Sequence, residues 1–362
     1  PDLPPPVSTT GPLAWIKTNL FSSPLNTALT ILSLWLLWTI VPPFINWVFL
    51  ESIWDAADRK DCWAQMPNPR EGACWAFIIG SFEFFVYGWY PDTEKWRVNL
   101  SFIILIFAIV GVLKEKLPGK KYWLLFAGAF PFIAAWLLLG GFGLKEVETS
   151  KIGGILLTVI IGITGISFSL PIGIVLALGR RSKMPALSSV CVIFIEFIRG
   201  VPLITLLFVA STMLTYFLPP GSTFDLLMRV LIMVTLFQSA YIAEIVRGGL
   251  QGLSQGQYEA ADSLGLNYWE AHRLIILPQA LKISIPPIVN TFISLFKDTT
   301  LVLIIGMMDI VGLGRARLND PYWLGLAGEL YLFIAIFFFI CCFSMSRYSI
   351  NLENKLSTGR RD

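Results

Sequence analysis

Apolar runs of about 20 residues recur along this chain, and a helix of that length crosses the hydrocarbon core of a bilayer with every backbone polar group paired inside itself. Leu25 to Leu50, Val98 to Leu113, Tyr122 to Leu144 and Ile152 to Gly179 carry no charge at all. Leu187 to Phe217, Leu226 to Val246, Ser284 to Met308 and Gly325 to Ser346 read the same way once one or two internal charges are allowed. The pattern predicts an all-α integral membrane protein with eight transmembrane helices. Ala76 to Tyr90 is short and interrupted by Glu83, which predicts an interfacial or re-entrant helix.

Composition agrees, with 55% hydrophobic and 14% charged residues, whereas soluble domains carry about a quarter charged. A net charge of +3 supplies no field for nucleic acid. One histidine and five cysteines cannot build the usual Cys/His metal sets, so no metal site is expected.

Orientation follows from Lys and Arg in the loops, which favour the cytoplasmic side. With the N-terminus inside, inner segments hold 15 of these cations and outer segments 8. Both termini are therefore expected in the cytoplasm. The chain divides into a tail (1–24), three spans with a large periplasmic loop at 51–96 (25–150), a five-span core (151–351) and a second tail (352–362). Cys62 and Cys74 share that loop, with 11 residues between them, and a disulfide there suits an oxidising compartment. The alternative is two unpaired interfacial cysteines.

The longest inner loop, about 247–283, has the punctuation of two short helices. Ser254 to Gln257 reads as a capping box, Gly265 suits a left-handed C-terminal position, and Asn267 to Glu270 is a second cap before a helix expected to end at Pro278. Tyr258, Leu266 and Trp269 offer apolar contact area beside the small Ala260, Ala261 and Gly265. Docking of another protein and simple rest on the lipid headgroups are both open readings of such a loop. His272, the only histidine, reads as a polar surface residue.

Glu259-Ala260-Ala261, then Gly265, then Ile275-Ile276-Leu277-Pro278 resembles the EAA loop of permease subunits of bacterial ATP-binding-cassette importers, with all spacings intact. Phe197 to Leu203, Ala240 to Gly249 and Ser294 to Leu301 resemble the polar amino-acid branch, and the longer N-terminal part resembles the longer permease subunit of general L-amino-acid transporters. The resemblance covers about Lys151 to Asn351 and implies the type I ABC importer permease fold in the bacterial inner membrane. It further implies a second permease subunit, two copies of an ATPase subunit, and a periplasmic amino-acid-binding protein. Tyr258, Glu259, Ala260, Ala261 and Gly265 would then form the coupling helix against the ATPase. ATP and Mg would be bound by those partners, with no cofactor in this chain, because Gly119-Lys120 lacks the rest of a Walker A loop.

Charges inside spans are costly and are candidate functional groups. Glu196 with Arg199, and Glu244 with Arg247, stand three residues apart and are expected to form structural ion pairs. Arg199 is also a candidate for the substrate path. Lys297 and Asp298 point about 100° apart on a helix. Asp298, beside Thr299 and Thr300, could hold a substrate ammonium, and Lys297 could neutralise it or meet a carboxylate. Where the family commonly has Thr and Gln in the second core span this chain has Val201 and Leu206, which removes two polar contacts. Two other classes compete with a permease: an intramembrane enzyme using Glu196 and Asp298, and a non-transporting channel or assembly subunit.

Overall fold

The computed structural model describes residues 11–68, 71–114, 117–213, 216 and 224–358. The Pro-rich start and the last four residues lie outside them. Among the described residues, seven helices are long and apolar enough to cross a membrane, or eight if a pair bent by 103° is counted as one span. Two compact units account for the chain, one comprising 1–80 with 320–329 and the other 81–319 with 330–362.

In the first unit, α1 (Pro12–Asn19) precedes α2 (Pro24–Ile45), which Ser23 caps by accepting from the Asn26 N–H. Pro42 and Pro43 lie inside α2, and the wide turn Asn46–Leu50 follows, with the Asn46 N–H shared between both proline carbonyls. A proline removes one ladder donor and crowds the turn before it, so the two prolines weaken α2 near its end, just ahead of the wide turn. Beyond it, α3 (Arg59–Gln65) is capped by Asp58. Cys62 and Cys74 are bonded, with Cα atoms 6.0 Å apart and both side chains buried. Backbone pairing of Ile53 with Ala73 and Trp75 holds the second cysteine, and the Glu329 carboxylate accepts its N–H at 3.0 Å. Arg59 ties this loop to 320–329 through the carbonyls of Tyr322 and Leu324.

The helix α4 (Ala76–Tyr87) is 12 residues long, too short for a crossing. In the second unit α5 (Lys95–Leu113) and α6 (Lys120–Leu139) lie against each other, and α7 (Gly154–Arg180) is the central element. The apolar run expected to continue to Leu144 stops at Leu139, because Gly140 takes φ +89° and ends the helix. Interhelical contact needs small residues where no hydrophobic force drives helices together in lipid. A Cβ on Gly173 would sit 2.6 Å from Ile242 of α10 (Leu226–Gln251). One on Gly249 would sit 2.6 Å from the Ala280 carbonyl oxygen of α13 (Leu277–Asp298). These glycines set how closely α7, α10 and α13 approach.

The single span expected from Leu187 to Phe217 is instead α8 (Pro185–Gly200) followed, after a 103° bend, by α9 (Leu203–Phe208) and the wide-turn segment Val209–Met213. Pro202 supplies no N–H to continue α8, and Val201 is driven to extended geometry before it. After α13 a 3₁₀ segment, Thr299–Ile305, leads to α14 (Ile310–Leu318). Asp309 caps α14 through the Gly312 N–H, and the Met308 carbonyl receives the Gly154 N–H that opens α7. The long α15 (Ala327–Thr358) closes the chain.

Candidate functional site

Between α10 and α13 lies the elbow: α11 (Gln255–Ser263), a turn at Gly265, and α12 (Tyr268–Ala271). Gly265 takes φ +70°, so any side chain there would be strained. The capping box of Asn267 and Glu270 is present in both directions. That of Ser254 is not, since its side chain makes no cap bond. The second helix does not stop at Pro278. The wide turn His272–Ile276 absorbs the missing proline N–H, and the helix runs on into α13.

The elbow has two faces. Glu259, Ala260 and Gly265 are exposed, and beside them Leu264 and Trp269 are 72% and 70% exposed. Ala261 is buried against the turn. Tyr258 is half-buried. Its hydroxyl donates to the Leu250 carbonyl at 3.1 Å and accepts from Arg181 Nη1 at 3.3 Å, with that guanidinium 5.7 Å over its ring. His272 is partly exposed, as expected of a polar surface residue, with its ring 4.0 Å from that of the half-exposed Tyr268 and 6.4 Å from that of Tyr258. Gln279 donates to Gln257 at 2.8 Å, closing the elbow onto α13.

Arg180, the neighbour of Arg181 at the end of α7, organises the ionic cluster. Its Nη1 lies 2.8 Å from Glu196 and 3.1 Å from Glu244. Glu244 also receives Arg247, through Nε at 2.7 Å, as the spacing predicts. The pairing expected between Glu196 and Arg199 is replaced: Glu196 faces Arg180, and Arg199 lies 3.9 Å from Glu244 and 5.6 Å over the Tyr241 ring. Three guanidinium groups thus surround one carboxylate, and α7, α8 and α10 are held together at the elbow end. Nothing in the sequence ranked Arg180 or Arg181 above other loop-flanking cations; a helix C-terminus with two arginines was the available signal.

Away from this cluster, Asp298 is half-buried at the end of α13 and Lys297 is exposed. Among the described residues they form no ion pair, so Lys297 does not neutralise its neighbour by contact. Thr299 and Thr300 donate to the carbonyls of Phe296 and Lys297 at 2.8 and 3.0 Å, which leaves only their lone pairs for other partners. Val201 stands at the α8 bend, and Leu206 is buried in the core. The described residues contain no group of three metal-ligating side chains.

The model of the family described as "Binding-protein-dependent transport system inner membrane component" matches residues 169–358. The inner membrane amino-acid ABC transporter permease protein YhdY of Escherichia coli is 50% identical over 350 residues, covering 96% of this chain and 94% of that one. BztC of Rhodobacter capsulatus, the permease of a glutamate/glutamine/aspartate/asparagine transport system, is 43% identical over 99% of this chain and 96% of its own. A chain in the crystal structure of an amino acid ABC transporter with histidines is 29% identical with a TM-score of 0.50, covering 56% of this chain and 92% of that one.

Proposed function

Because the chain belongs to the family of binding-protein-dependent transport-system inner membrane components, as a multi-pass amino-acid ABC transporter permease subunit, we propose that it forms half of an ATP-driven amino-acid import path worked through its elbow. The observation that carries this reading is the two-faced elbow. Exposed Glu259, Ala260 and Gly265, rimmed by Leu264 and Trp269, offer an ATPase subunit a closely approachable surface, while Tyr258 is fastened inward to Arg181. Closure of a pair of ATPase subunits on ATP would push this face. The push would pass through Arg181 to α7, and through Arg180 to α8 and α10.

In this reading the elbow is cytoplasmic, as are both termini, and the disulfide loop faces the periplasm, where a binding protein delivers the amino acid. A second permease subunit completes the path. One relative, BztC, belongs to a glutamate/glutamine/aspartate/asparagine transport system, which makes acidic amino acids and their amides the cargo class to test first. Asp298, with Lys297 and the Thr299 and Thr300 hydroxyls, is the candidate charged contact on the path, and Arg199 at the α8 bend is a second. Hydrolysis of ATP and binding of Mg belong to the partner.

The test is ATP hydrolysis by the purified complex in nanodiscs. Hydrolysis stimulated by amino-acid-loaded binding protein supports the reading. A membrane protein that purifies without an ATPase, or whose ATPase ignores the loaded binding protein, would favour a non-transporting assembly subunit.

A further inference from the structure

Four consecutive residues after α6, Gly140, Gly141, Phe142 and Gly143, all have positive φ: +89°, +91°, +50° and +98°. Phe142 is the only residue other than glycine with positive φ among the described residues, and its side chain is 98% exposed. Phenylalanine is poorly suited to that backbone, and glycine or asparagine would form the turn at lower cost. The turn is nevertheless firmly built. Gly141 and Leu144 exchange both backbone hydrogen bonds, at 3.1 and 3.2 Å, and the Gly141 carbonyl also accepts the Trp136 indole N–H at 3.2 Å. A strained and fully exposed aromatic ring on a fixed turn calls for an apolar surface that covers it.

The surroundings say which surface. Phe132 and Trp136 stand four residues apart on one face of the α6 span and are 66% and 44% exposed, with the Phe132 ring edge-on to Phe168 at 5.5 Å; an exposed apolar face on a crossing helix suits lipid. Trp136, about 6 Å nearer the helix end than Phe132, turns its indole N–H toward the Gly141 carbonyl, the posture of a residue at the edge of the hydrocarbon. The polar boundary lies at the same height, where Arg97 of α5 donates to the Lys145 carbonyl at 2.7 Å and Trp96 beside it is 50% exposed.

We infer that the 140–143 turn is a lipid anchor, which drives the Phe142 ring into the headgroup boundary of the leaflet at the end of the membrane opposite the elbow. The joint between α6 and α7 is thereby held at a fixed depth. The inference needs only that the chain spans the membrane, and holds whether or not the elbow binds an ATPase.

The experiment places a nitroxide at position 142, through Phe142→Cys in a chain carrying Cys191→Ala, Cys341→Ala and Cys342→Ala, in nanodiscs of phosphatidylethanolamine and phosphatidylglycerol. Collision with oxygen should exceed collision with a water-soluble nickel chelate several-fold, in the same sense as for a label at Phe132. Equal or greater collision with the chelate overturns the inference, as does a label shielded only after binding protein is added. Should the cysteine chain fail to assemble, a benzophenone side chain at 142 in the otherwise native chain is illuminated instead. Phospholipid crosslinks are expected, and crosslinks to binding protein alone would contradict the anchor.

Discussion

Arg181 lays its guanidinium over the ring of Tyr258, 5.7 Å from the centroid, while its Nη1 donates to the same residue's hydroxyl. One side chain thus clips the elbow to the end of α7, and the preceding residue clips α7 to α8 and α10. Arg181→Leu should keep the chain inserted and the elbow folded, since the Asn267–Glu270 box and the Tyr258 bond to Leu250 remain. ATPase attachment should persist while stimulation by loaded binding protein falls several-fold. Tyr258→Phe removes only the hydroxyl and should fall less.

Glu244 is shared by Arg180, Arg199 and Arg247, with about 20% of its side chain exposed. Glu244→Gln leaves Arg199 and Arg247 facing a neutral amide, with only Arg180 keeping a carboxylate in Glu196, and should cost about 3 kcal/mol, because an unpaired charge loses its compensation while its desolvation remains. Glu196 is about half exposed and serves Arg180 alone, so Glu196→Gln should cost below about 1 kcal/mol. Thermal unfolding of the two variants in detergent should therefore differ clearly.

Gly249 has no room for a side chain against the Ala280 carbonyl. Gly249→Val should separate α10 from α13 and cost about 2 kcal/mol or more as overpacking. Gly248, which has open space, should accept alanine with little change. Yields of monodisperse protein for the two variants make the comparison.

Asp309 is fully buried at the start of α14, with one oxygen bound to the Gly312 N–H and the other without a partner. Burial raises its carboxyl from 3.8 to about 6 despite the backbone donors around it. The folded state therefore holds an extra proton between those values, so this contribution to stability is intact below about pH 4 and is lost as pH rises through 6. Asp309→Asn should be more stable than the parent at pH 8, by up to about 3 kcal/mol, with the gap closing toward pH 4. An identical pH slope in both proteins would contradict the assignment.

Asp298→Asn tests the path. Since no contact joins Asp298 to Lys297, the variant should assemble normally and raise the amino-acid concentration for half-maximal uptake. The double change Lys297→Met with Asp298→Asn should not restore uptake. Recovery in the double variant would mean that the two charges only balance each other.

The spans were legible because a bilayer imposes one length and one composition on every crossing helix, so α2, α5 and α7 lie close to their apolar runs. Helix breaks were less so. Pro202 bent a predicted span by 103°, whereas Pro278 did not end the elbow's second helix, because a wide turn four residues upstream took up its missing donor. Hydropathy cannot tell these prolines apart, as the difference lies in whether the preceding turn can widen. In the ionic cluster, Glu244 found Arg247 because both sit on one helix face, while Glu196 found Arg180 from another helix. Spacing within one helix predicts the first kind of pair and is silent on the second.

The central claim is that the elbow works an amino-acid path. It is tested most directly by uptake of labelled L-glutamate and L-glutamine into proteoliposomes that hold the complete complex, with ATP on the elbow side and binding protein on the other. The account predicts saturable uptake that needs both, and that is lost in Gly265→Asp although the spans remain inserted. Undiminished ATP-dependent uptake with Gly265→Asp would contradict it.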